Sequence, residues 1–220
     1  MKLTFTNRTG GVSLGAFASL NLGDHVGDSS ESVTKNRSSL EQDFGPIQFM
    51  SQVHGDRIVI VEEVTDISPE ADALITGIQG VALAVMVADC IPLILTSKEI
   101  VAAVHVGRRG LANEITRKTI RTMEEMGAGA ITAHIGPAIC GTCYEVSQDI
   151  QDEIVRAHPT SKATTKQGTP ALDLVSGLRT VLIDEGVDIK NRFECTVENP
   201  ELFSYRRDGV TGRQAGIVSL

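Results

Sequence analysis

Two histidines and one cysteine are notable because each lies where a strongly apolar stretch meets a turn. His54 lies in SQVHGDRIVIV, Cys90 in GVALAVMVADCIPLIL and His105 in IVAAVHVG. Burial of a thiol or an imidazole is costly unless the group is hydrogen-bonded or binds a metal. Imidazole nitrogen and thiolate sulfur are preferred zinc ligands, and three protein ligands with an open fourth position are typical of catalytic zinc. The sequence therefore predicts a catalytic metal site at His54, Cys90 and His105.

The same three residues permit two other chemistries. Cys90 is a candidate nucleophile that His105 would activate. Copper is a candidate metal if a methionine, Met86 or Met50, adds an axial sulfur ligand. Nothing in the sequence supplies the several copper ions that four-electron reduction of oxygen needs, so copper is the weaker choice. The spacing of the residues along their strands does not separate zinc binding from nucleophilic catalysis.

The elements that position these side chains are predicted mainly within residues 80–111. This segment is a long apolar run with β-branched residues. Such a run favours two or three strands that are buried on both faces. A helix over residues 111–126 and a strand over residues 130–135 follow, completing a βαβ unit that should be right-handed. Upstream, residues 46–54 and 57–64 are predicted to be two strands joined by a tight turn at His54.

Positive charge is concentrated in a few places that suit a small anion. Arg109 lies in the glycine turn at residues 107–110, where backbone N–H groups at a helix start favour anion binding. Arg37 falls on the apolar stripe of a helix predicted over residues 30–44, which is unusual unless it reaches a buried anion. The candidate residues for binding substrate or phosphate are Asn21, Arg37, Arg109, Arg206 and Arg207.

Length and composition predict an ordinary globular chain. Its 220 residues are 41% hydrophobic and contain no repeat, which fits a single domain over residues 1–220. The net charge of −8 argues against nucleic acid and anionic membranes as partners. No signal peptide is evident, and the apolar run at residues 81–95 is too short to span a bilayer. A cytoplasmic location with reduced cysteines is therefore expected, and no protein partner is evident.

Cys140 and Cys143 form a CxxC motif in a glycine- and proline-containing loop. One such pair cannot close a structural zinc site without further ligands. A thioredoxin-type motif would open a helix directly after a strand, which this loop does not do. We therefore expect the motif to be incidental, with neither a metal nor a redox role.

Eight segments resemble, in the same order, the YfiH/YlmD-like family once called multicopper polyphenol oxidases or laccases. They are SLNLGDHVGD, KNR, SQVHGD, ADALIT, VADCIPLIL, HVGRRGL, IGPAICGTCYEV and LFSYRRDGVTGR. The resemblance spans essentially the whole chain. It implies an α/β layered sandwich with a mixed sheet, the YfiH-like fold, and a catalytic zinc held by His54, Cys90 and His105.

The resemblance also implies an activity. Family members are regarded as purine nucleoside phosphorylases with adenosine deaminase activity, and a human relative is the laccase-domain protein FAMIN. Adenosine, inosine, guanosine and methylthioadenosine, together with phosphate, are then the expected substrates. Other classes left open are a copper polyphenol oxidase, a hydrolase that edits cell-wall precursors, and a non-catalytic nucleoside sensor.

Two positions depart from the family pattern. The family usually has tryptophan where this chain has Arg108, and this sequence contains no tryptophan. The family loop commonly reads GPCCYEV where this chain reads CGTCYEV, so Cys143 occupies a common family position and Cys140 does not. Neither departure touches the three predicted metal ligands.

Overall fold

The computed structural model describes residues 1–220 as twelve strands and six α-helices. In chain order, the strands are β1 (Lys2–Phe5), β2 (Ile47–Gln48), β3 (Ile58–Ile60), β4 (Ala73–Thr76), β5 (Ala82–Val87), β6 (Ile91–Thr96), β7 (Val101–Val106), β8 (Thr132–Ile135), β9 (Lys162–Thr164), β10 (Pro170–Leu172), β11 (Asp188–Asn191) and β12 (Gln214–Ser219). The helices are α1 (Ser30–Phe44), α2 (Arg108–Ala112), α3 (Ile115–Glu125), α4 (Gln148–Ala157), α5 (Leu174–Asp184) and α6 (Tyr205–Asp208).

Two mixed sheets organise the chain. One has the strand order β1-β12-β5-β2 and the other the order β11-β8-β6-β7-β4-β3, while β9 and β10 form a separate pair. Parallel and antiparallel pairs occur in both large sheets. This arrangement confirms the predicted α/β class with a mixed sheet.

The two sheets face each other, and the central strands are buried on both faces. In β5, Leu83 and Val85 lie in the core between the sheets, whereas Ala84 and Met86 lie in the core beneath α1. Side chains alternate between the faces of a strand, so an uninterrupted apolar run fills both cores. The prediction of buried strands within residues 80–111 is therefore confirmed.

Helices cover the outer faces of the two sheets. The third and largest core joins the six-stranded sheet to α2, α3 and α5. The result is a sandwich of four layers, in the order helix, sheet, sheet, helices. None of the helices combines the length and the apolar character that crossing a bilayer would require.

The predicted hairpin around His54 is wrong. β2 pairs with β5 in the four-stranded sheet, while β3 pairs with β4 in the six-stranded sheet. Both strands are also shorter than predicted. The turn at His54 carries the chain from one sheet to the other, so this residue lies at the common edge of the two sheets.

The helix predicted over residues 111–126 is divided in two. It begins earlier, at Arg108, and breaks at Glu114, whose backbone adopts a left-handed φ of 61°. The predicted glycine turn is thus the first turn of α2, with Gly107 as its N-cap. β7 and β8 are parallel, as predicted for the βαβ unit, but β6 lies between them and is antiparallel to both.

The predicted bounds of helix α1 are confirmed, and the helix carries one buried polar side chain, Asn36. Asn36 accepts a hydrogen bond from the Val12 N–H at 2.9 Å and donates to Ser13 Oγ and to the carbonyls of Ser19 and Asn21. Only 1% of Asn36 is exposed. These bonds hold the N-terminal loop against the helix.

We predict that Asn36→Ala lowers the free energy of unfolding by about 1–3 kcal/mol, because buried partners on the N-terminal loop lose their hydrogen bonds. Chemical denaturation monitored by circular dichroism measures the change. Thr34→Ala, on the exposed face of α1, is the control and should differ from the wild type by less than about 0.5 kcal/mol. Equal stability of the two variants would show that the loop does not depend on Asn36.

Candidate metal centre and active site

The three predicted ligands come together at one edge of the sandwich. The donor atoms of His54, Cys90 and His105 all lie within 4.8 Å of one another. Cys90 Sγ is 3.8 Å from His54 Nε2, and the two imidazole rings meet edge to face with centroids 4.6 Å apart. The three residues are separated by up to 51 positions in the sequence, so the tertiary fold creates this cluster.

Strand geometry explains how two of these side chains reach the site. Val101 and Ala103 lie in the core between the sheets, and His105 is two residues further along β7. Alternation therefore directs His105 to the same inter-sheet face, where only 4% of it is exposed. Cys90 directly precedes β6, which is hydrogen-bonded to β7.

The backbone is strained at two residues of the site. His54 has a φ of 59° and Asp89, next to Cys90, has a φ of 99°. Positive φ is uncommon for residues other than glycine, and each such residue costs of order 1–3 kcal/mol. Surrounding hydrogen bonds must therefore hold both turns in place.

Asp72 holds the His54 turn. It is fully buried just before β4 and accepts hydrogen bonds from the N–H groups of Val53, His54 and Gly55 at 3.2, 3.0 and 2.7 Å. His105 Nδ1 lies 2.7 Å from Asp72 Oδ1. A single carboxylate thus orients both histidines. Asp72 lies within the family segment ADALIT but was not among the predicted site residues.

Asp89 holds the second strained turn. Its carboxylate accepts hydrogen bonds from Thr196 Oγ1, Ser204 Oγ and the Arg206 N–H, at 2.6, 2.7 and 2.6 Å. These donors belong to distant segments near the C-terminus. Asp89 thereby fastens those segments beside Cys90.

The electrostatics of the cluster favour a thiolate and an orienting carboxylate. Burial raises the pKa of Cys90, but the positive charge and hydrogen bonds of His105 and His54 outweigh it and lower the pKa to about 6. Burial likewise lowers the pKa of His105, while the Cys90 thiolate and Asp72 raise it to about 9. For Asp72, burial raises the pKa, but hydrogen bonds from His105 and Gly55 dominate and lower it.

These residues fit a zinc ion. Zinc bonds of about 2.0–2.1 Å to nitrogen and about 2.3 Å to sulfur place tetrahedral ligand atoms about 3.6 Å apart, close to the 3.8 Å between Cys90 Sγ and His54 Nε2. His105 Nδ1 is hydrogen-bonded to Asp72, so Nε2 is the ring nitrogen that is free to bind a metal. A carboxylate behind a histidine ligand is a common support in zinc sites.

A cavity of about 440 Å³ opens above the cluster. Its wall includes apolar side chains, two tyrosines and two arginines, and also the three candidate ligands. The lining residues are His25, Gln52, His54, Met86, Val87, Ala88, Asp89, Cys90, His105, Ile139, Tyr144, Tyr205, Arg206 and Arg213. The size suits a small organic molecule.

Arg213 and Arg206 supply the positive charge of this cavity. The Arg213 guanidinium is half-buried and donates to the carbonyls of Thr211 and Gly212 rather than to a carboxylate. Burial lowers its pKa. Arg206 donates to the Glu145 carbonyl and lies over the Tyr144 ring. Arg206 was among the predicted binding residues, whereas Arg213, which ends the segment LFSYRRDGVTGR, was not.

Two predicted binding residues lie behind the cavity wall. Asn21 is fully buried, and its Oδ1 accepts from the N–H groups of Gly23 and Arg213. Arg37 donates to the Leu22 carbonyl, covers the Phe49 ring and lies 3.6 Å from the sulfur of Met86. Both side chains support residues of the wall rather than facing the cavity.

The remaining two predicted arginines also lie outside the cavity. Arg207 donates to the carbonyls of Thr196, Asn199 and Leu202 and pairs with Asp208, so its hydrogen-bonding capacity is used within the fold. Arg109 is exposed on the first turn of α2. Neither one lines the cavity around the candidate ligands.

Gly107 allows the close packing of the metal-site side chains. A methyl group at this position would lie 3.0 Å from Cys90 Sγ and 3.2 Å from His54 Cδ2.

We predict that Gly107→Ala weakens zinc binding at least about tenfold by displacing these ligands, measured by competition with a coloured chelator. Gly129→Ala, where the methyl meets no atom within 4 Å, is the control. Unchanged affinity in Gly107→Ala would contradict the proposed ligand positions.

In the metal-free protein, the lowered pKa of Cys90 makes its thiolate abundant at neutral pH. We predict that alkylation of Cys90 by iodoacetamide rises with a midpoint near pH 6, because the thiolate is the nucleophile. Peptide mass spectrometry follows Cys90 separately from the other cysteines. Added zinc should protect Cys90 at neutral pH and above, where protons do not displace the metal from its ligands. A midpoint near the ordinary thiol value of about 8.5 would contradict the charge arrangement described above.

Solved structures share this architecture closely. A Neisseria meningitidis protein superposes with a TM-score of 0.90 at 39% identity, covering 98% of this chain and 92% of that one. YlmD from Geobacillus stearothermophilus superposes with a TM-score of 0.89 at 33% identity, covering 99% and 90%. The predicted YfiH-like fold is therefore confirmed.

Sequence comparison agrees with the structural one. A purine nucleoside phosphorylase of Corynebacterium glutamicum is 42% identical over all of this chain and 94% of its own length. A purine nucleoside phosphorylase of Streptomyces coelicolor is also 42% identical, over 98% of this chain and 94% of its own length. Residues 2–220 match the family model described as multi-copper polyphenol oxidoreductase laccase. The chain belongs to this family, as its eight motifs predicted.

Proposed function

We propose that the chain is a zinc-dependent purine nucleoside phosphorylase that also deaminates adenosine. Adenosine, inosine, guanosine and methylthioadenosine are its proposed nucleosides. The observation that carries the proposal is the half-buried Arg213, whose guanidinium has no carboxylate partner and faces the same cavity as three candidate zinc ligands. The names of the relatives from Corynebacterium and Streptomyces support the same reaction class.

Phosphorolysis needs a site for phosphate, and the arginines of the cavity meet this need. Arg213 and Arg206 both line it, and guanidinium groups bind phosphate oxygens through charge-assisted hydrogen bonds. Arg213 is held in place through its own backbone N–H, which donates to Asn21. Prior positioning of the arginine lowers the entropic cost of binding the anion.

The apolar and aromatic side chains of the cavity suit a purine. Met86, Val87 and Ile139 supply an apolar wall, and the Tyr144 ring also lines the cavity. Burial raises the pKa of the Tyr144 hydroxyl, with a further contribution from Cys90. The hydroxyl therefore keeps its proton at neutral pH and is available to donate a hydrogen bond to the base.

His54, Cys90 and His105 would hold the zinc ion. Bound there, zinc supplies a Lewis acid and lowers the pKa of water for deamination. Copper receives less support from the surroundings: Met50 lies in the core between the sheets, and Met86 Sδ is in contact with the Arg37 guanidinium. Neither methionine is thus committed to the metal site as an axial ligand.

In the proposed reaction, the bond between C1′ of the ribose and N9 of the purine breaks, and its electron pair leaves with the purine. A bond from C1′ to a phosphate oxygen forms, and the proton that the phosphate gives up is taken by the departing purine. The arginines hold the phosphate beside C1′ and balance its negative charge. Tyr144 and the apolar wall hold the departing base. Fixed donors of this kind contribute most when they need no rearrangement during the reaction.

Replacement of Arg213 should lower kcat/KM for phosphate more than kcat/KM for the nucleoside. We predict that Arg213→Gln lowers kcat/KM for phosphate by about 10- to 150-fold, the equivalent of about 1.5–3 kcal/mol for a hydrogen bond to a charged group. Zinc content should stay unchanged. Arg109→Gln, an exposed arginine outside the cavity, is the control and should behave like the wild type. Equal losses in the two variants would contradict the assignment of phosphate to the cavity.

Product analysis tests the reaction class. We predict that the zinc-loaded protein converts inosine to hypoxanthine only when phosphate is present, and that ribose 1-phosphate accumulates in equal amount. Adenosine should yield some inosine as well as adenine. Chromatography with mass detection identifies each product. Free ribose would indicate hydrolysis instead, and oxidation of phenols without nucleoside turnover would overturn the proposal.

A further inference from the structure

Three of the four cysteines form a second cluster outside the cavity. The sulfur atoms of Cys140, Cys143 and Cys195 all lie within 4.8 Å of one another. Cys195 is 52 residues beyond Cys143, so it could not be recognised as a partner from spacing alone. The expectation that the CxxC motif is incidental rested on the lack of further ligands, and the fold provides one.

The backbone holds the three sulfur atoms in position. Cys143 and Tyr144 both donate their N–H groups to the Cys140 carbonyl at 3.0 Å, which closes the CxxC turn. The segment of Cys195 lies alongside the turn through a parallel bridge to Ala138. Gly141 packs so closely on Asp173 that a methyl group there would lie 2.8 Å from its Cβ.

Burial and the neighbouring sulfur atoms raise the pKa of Cys143 to about 12, and burial raises the pKa of Cys195. Burial also raises the pKa of Cys140, but its hydrogen bonds outweigh this effect and lower it. A bound cation would therefore be needed to hold all three sulfur atoms as thiolates. The N–H of Cys140 points to Cys195 Sγ at 3.4 Å, and Thr142 Oγ1 is 3.2 Å from Cys140 Sγ. Glu198 Oε1 lies 3.9 Å from Cys143 Sγ and is paired with Lys166 at 2.9 Å. All three cysteines are half-buried, so the cluster is screened from solvent but open to an ion.

We propose that Cys140, Cys143 and Cys195 bind a second metal ion, zinc, separate from the ion at the candidate active site. Thiolate ligands select zinc among the common divalent ions, and zinc–sulfur bonds of about 2.3 Å place tetrahedral sulfur atoms about 3.8 Å apart. The sulfur separations within 4.8 Å need only a small contraction to meet this. Glu198, whose Oε1 lies 3.9 Å from Cys143 Sγ, is a candidate for the fourth ligand.

The second ion would brace the wall of the cavity. Ile139 and Tyr144 flank the two cysteines of the CxxC turn, and both line the cavity. Thr196 follows Cys195 and donates to Asp89, the residue next to Cys90. A metal that joins the CxxC turn to Cys195 therefore ties together two segments that shape the active site. Its role is structural and does not depend on which reaction the cavity performs.

Metal analysis of variants tests the proposal. Protein purified with reductant, loaded with zinc and passed over chelating resin should retain about two zinc ions per chain. Cys195→Ser and Cys90→Ala should each retain about one ion, and the double variant none. Thr142→Ala changes the same loop without removing a thiol, and it should retain both ions.

Cobalt substitution provides a readout that does not require the Cys195 variant to fold. The Cys90→Ala protein loaded with cobalt should show an intense thiolate-to-metal absorption band, because three thiolates remain to bind the ion. One zinc ion in the wild type, lost completely in Cys90→Ala, would overturn the proposal. A disulfide between two of the three cysteines in the reduced preparation, with no second metal, would also overturn it.

Discussion

The buried carboxylate of Asp72 is the interaction on which the site depends. It accepts three backbone hydrogen bonds from residues 53–55 and a fourth from His105. A fully buried carboxylate without such partners would be strongly destabilising. Asp72 lies between the His54 turn, which connects the two sheets, and β7. The same hydrogen bonds therefore join the two sheets and orient the candidate ligands His54 and His105.

A second carboxylate, that of Asp89, has a similar role next to Cys90. Asp89 accepts hydrogen bonds from Thr196, Ser204 and Arg206 and so draws the C-terminal segments to the cavity. The two carboxylates stabilise backbone turns with positive φ at His54 and Asp89. Strained turns held by hydrogen-bonded carboxylates leave the ligand side chains little freedom, which is the condition for a preorganised metal site.

Sequence reasoning predicted the parts of the site that contrast with their surroundings. His54, Cys90 and His105 were found because imidazole and thiol groups are costly next to apolar strands, and helix α1 was found from its cap and apolar spacing. The hairpin at His54 was predicted wrongly because local turn signals do not reveal that β2 and β3 belong to different sheets.

Residues whose roles depend on distant partners could not be assigned in this way. Arg207 and Arg213 are the same residue type and lie in the same family segment of the sequence. The Arg207 guanidinium is bonded to backbone carbonyls and to Asp208, whereas Arg213 faces the cavity. Asp72 and Cys195 likewise acquire their partners only through tertiary contacts. The family motifs include the segments that line the cavity, but the geometry was needed to separate supporting side chains from those that face the cavity.

The zinc affinity of Asp72→Asn tests the central role of this carboxylate most directly. The amide keeps the shape of the side chain but removes its charge and one of its acceptor oxygens. Competition with a chelator should show zinc held about 10- to 100-fold more weakly at the candidate active site, while circular dichroism shows a folded protein. The measurement is made in the Cys195→Ser variant, which lacks the proposed second zinc ion. The affinity then reports only on the site of His54, Cys90 and His105. Unchanged affinity in a folded variant would contradict the account.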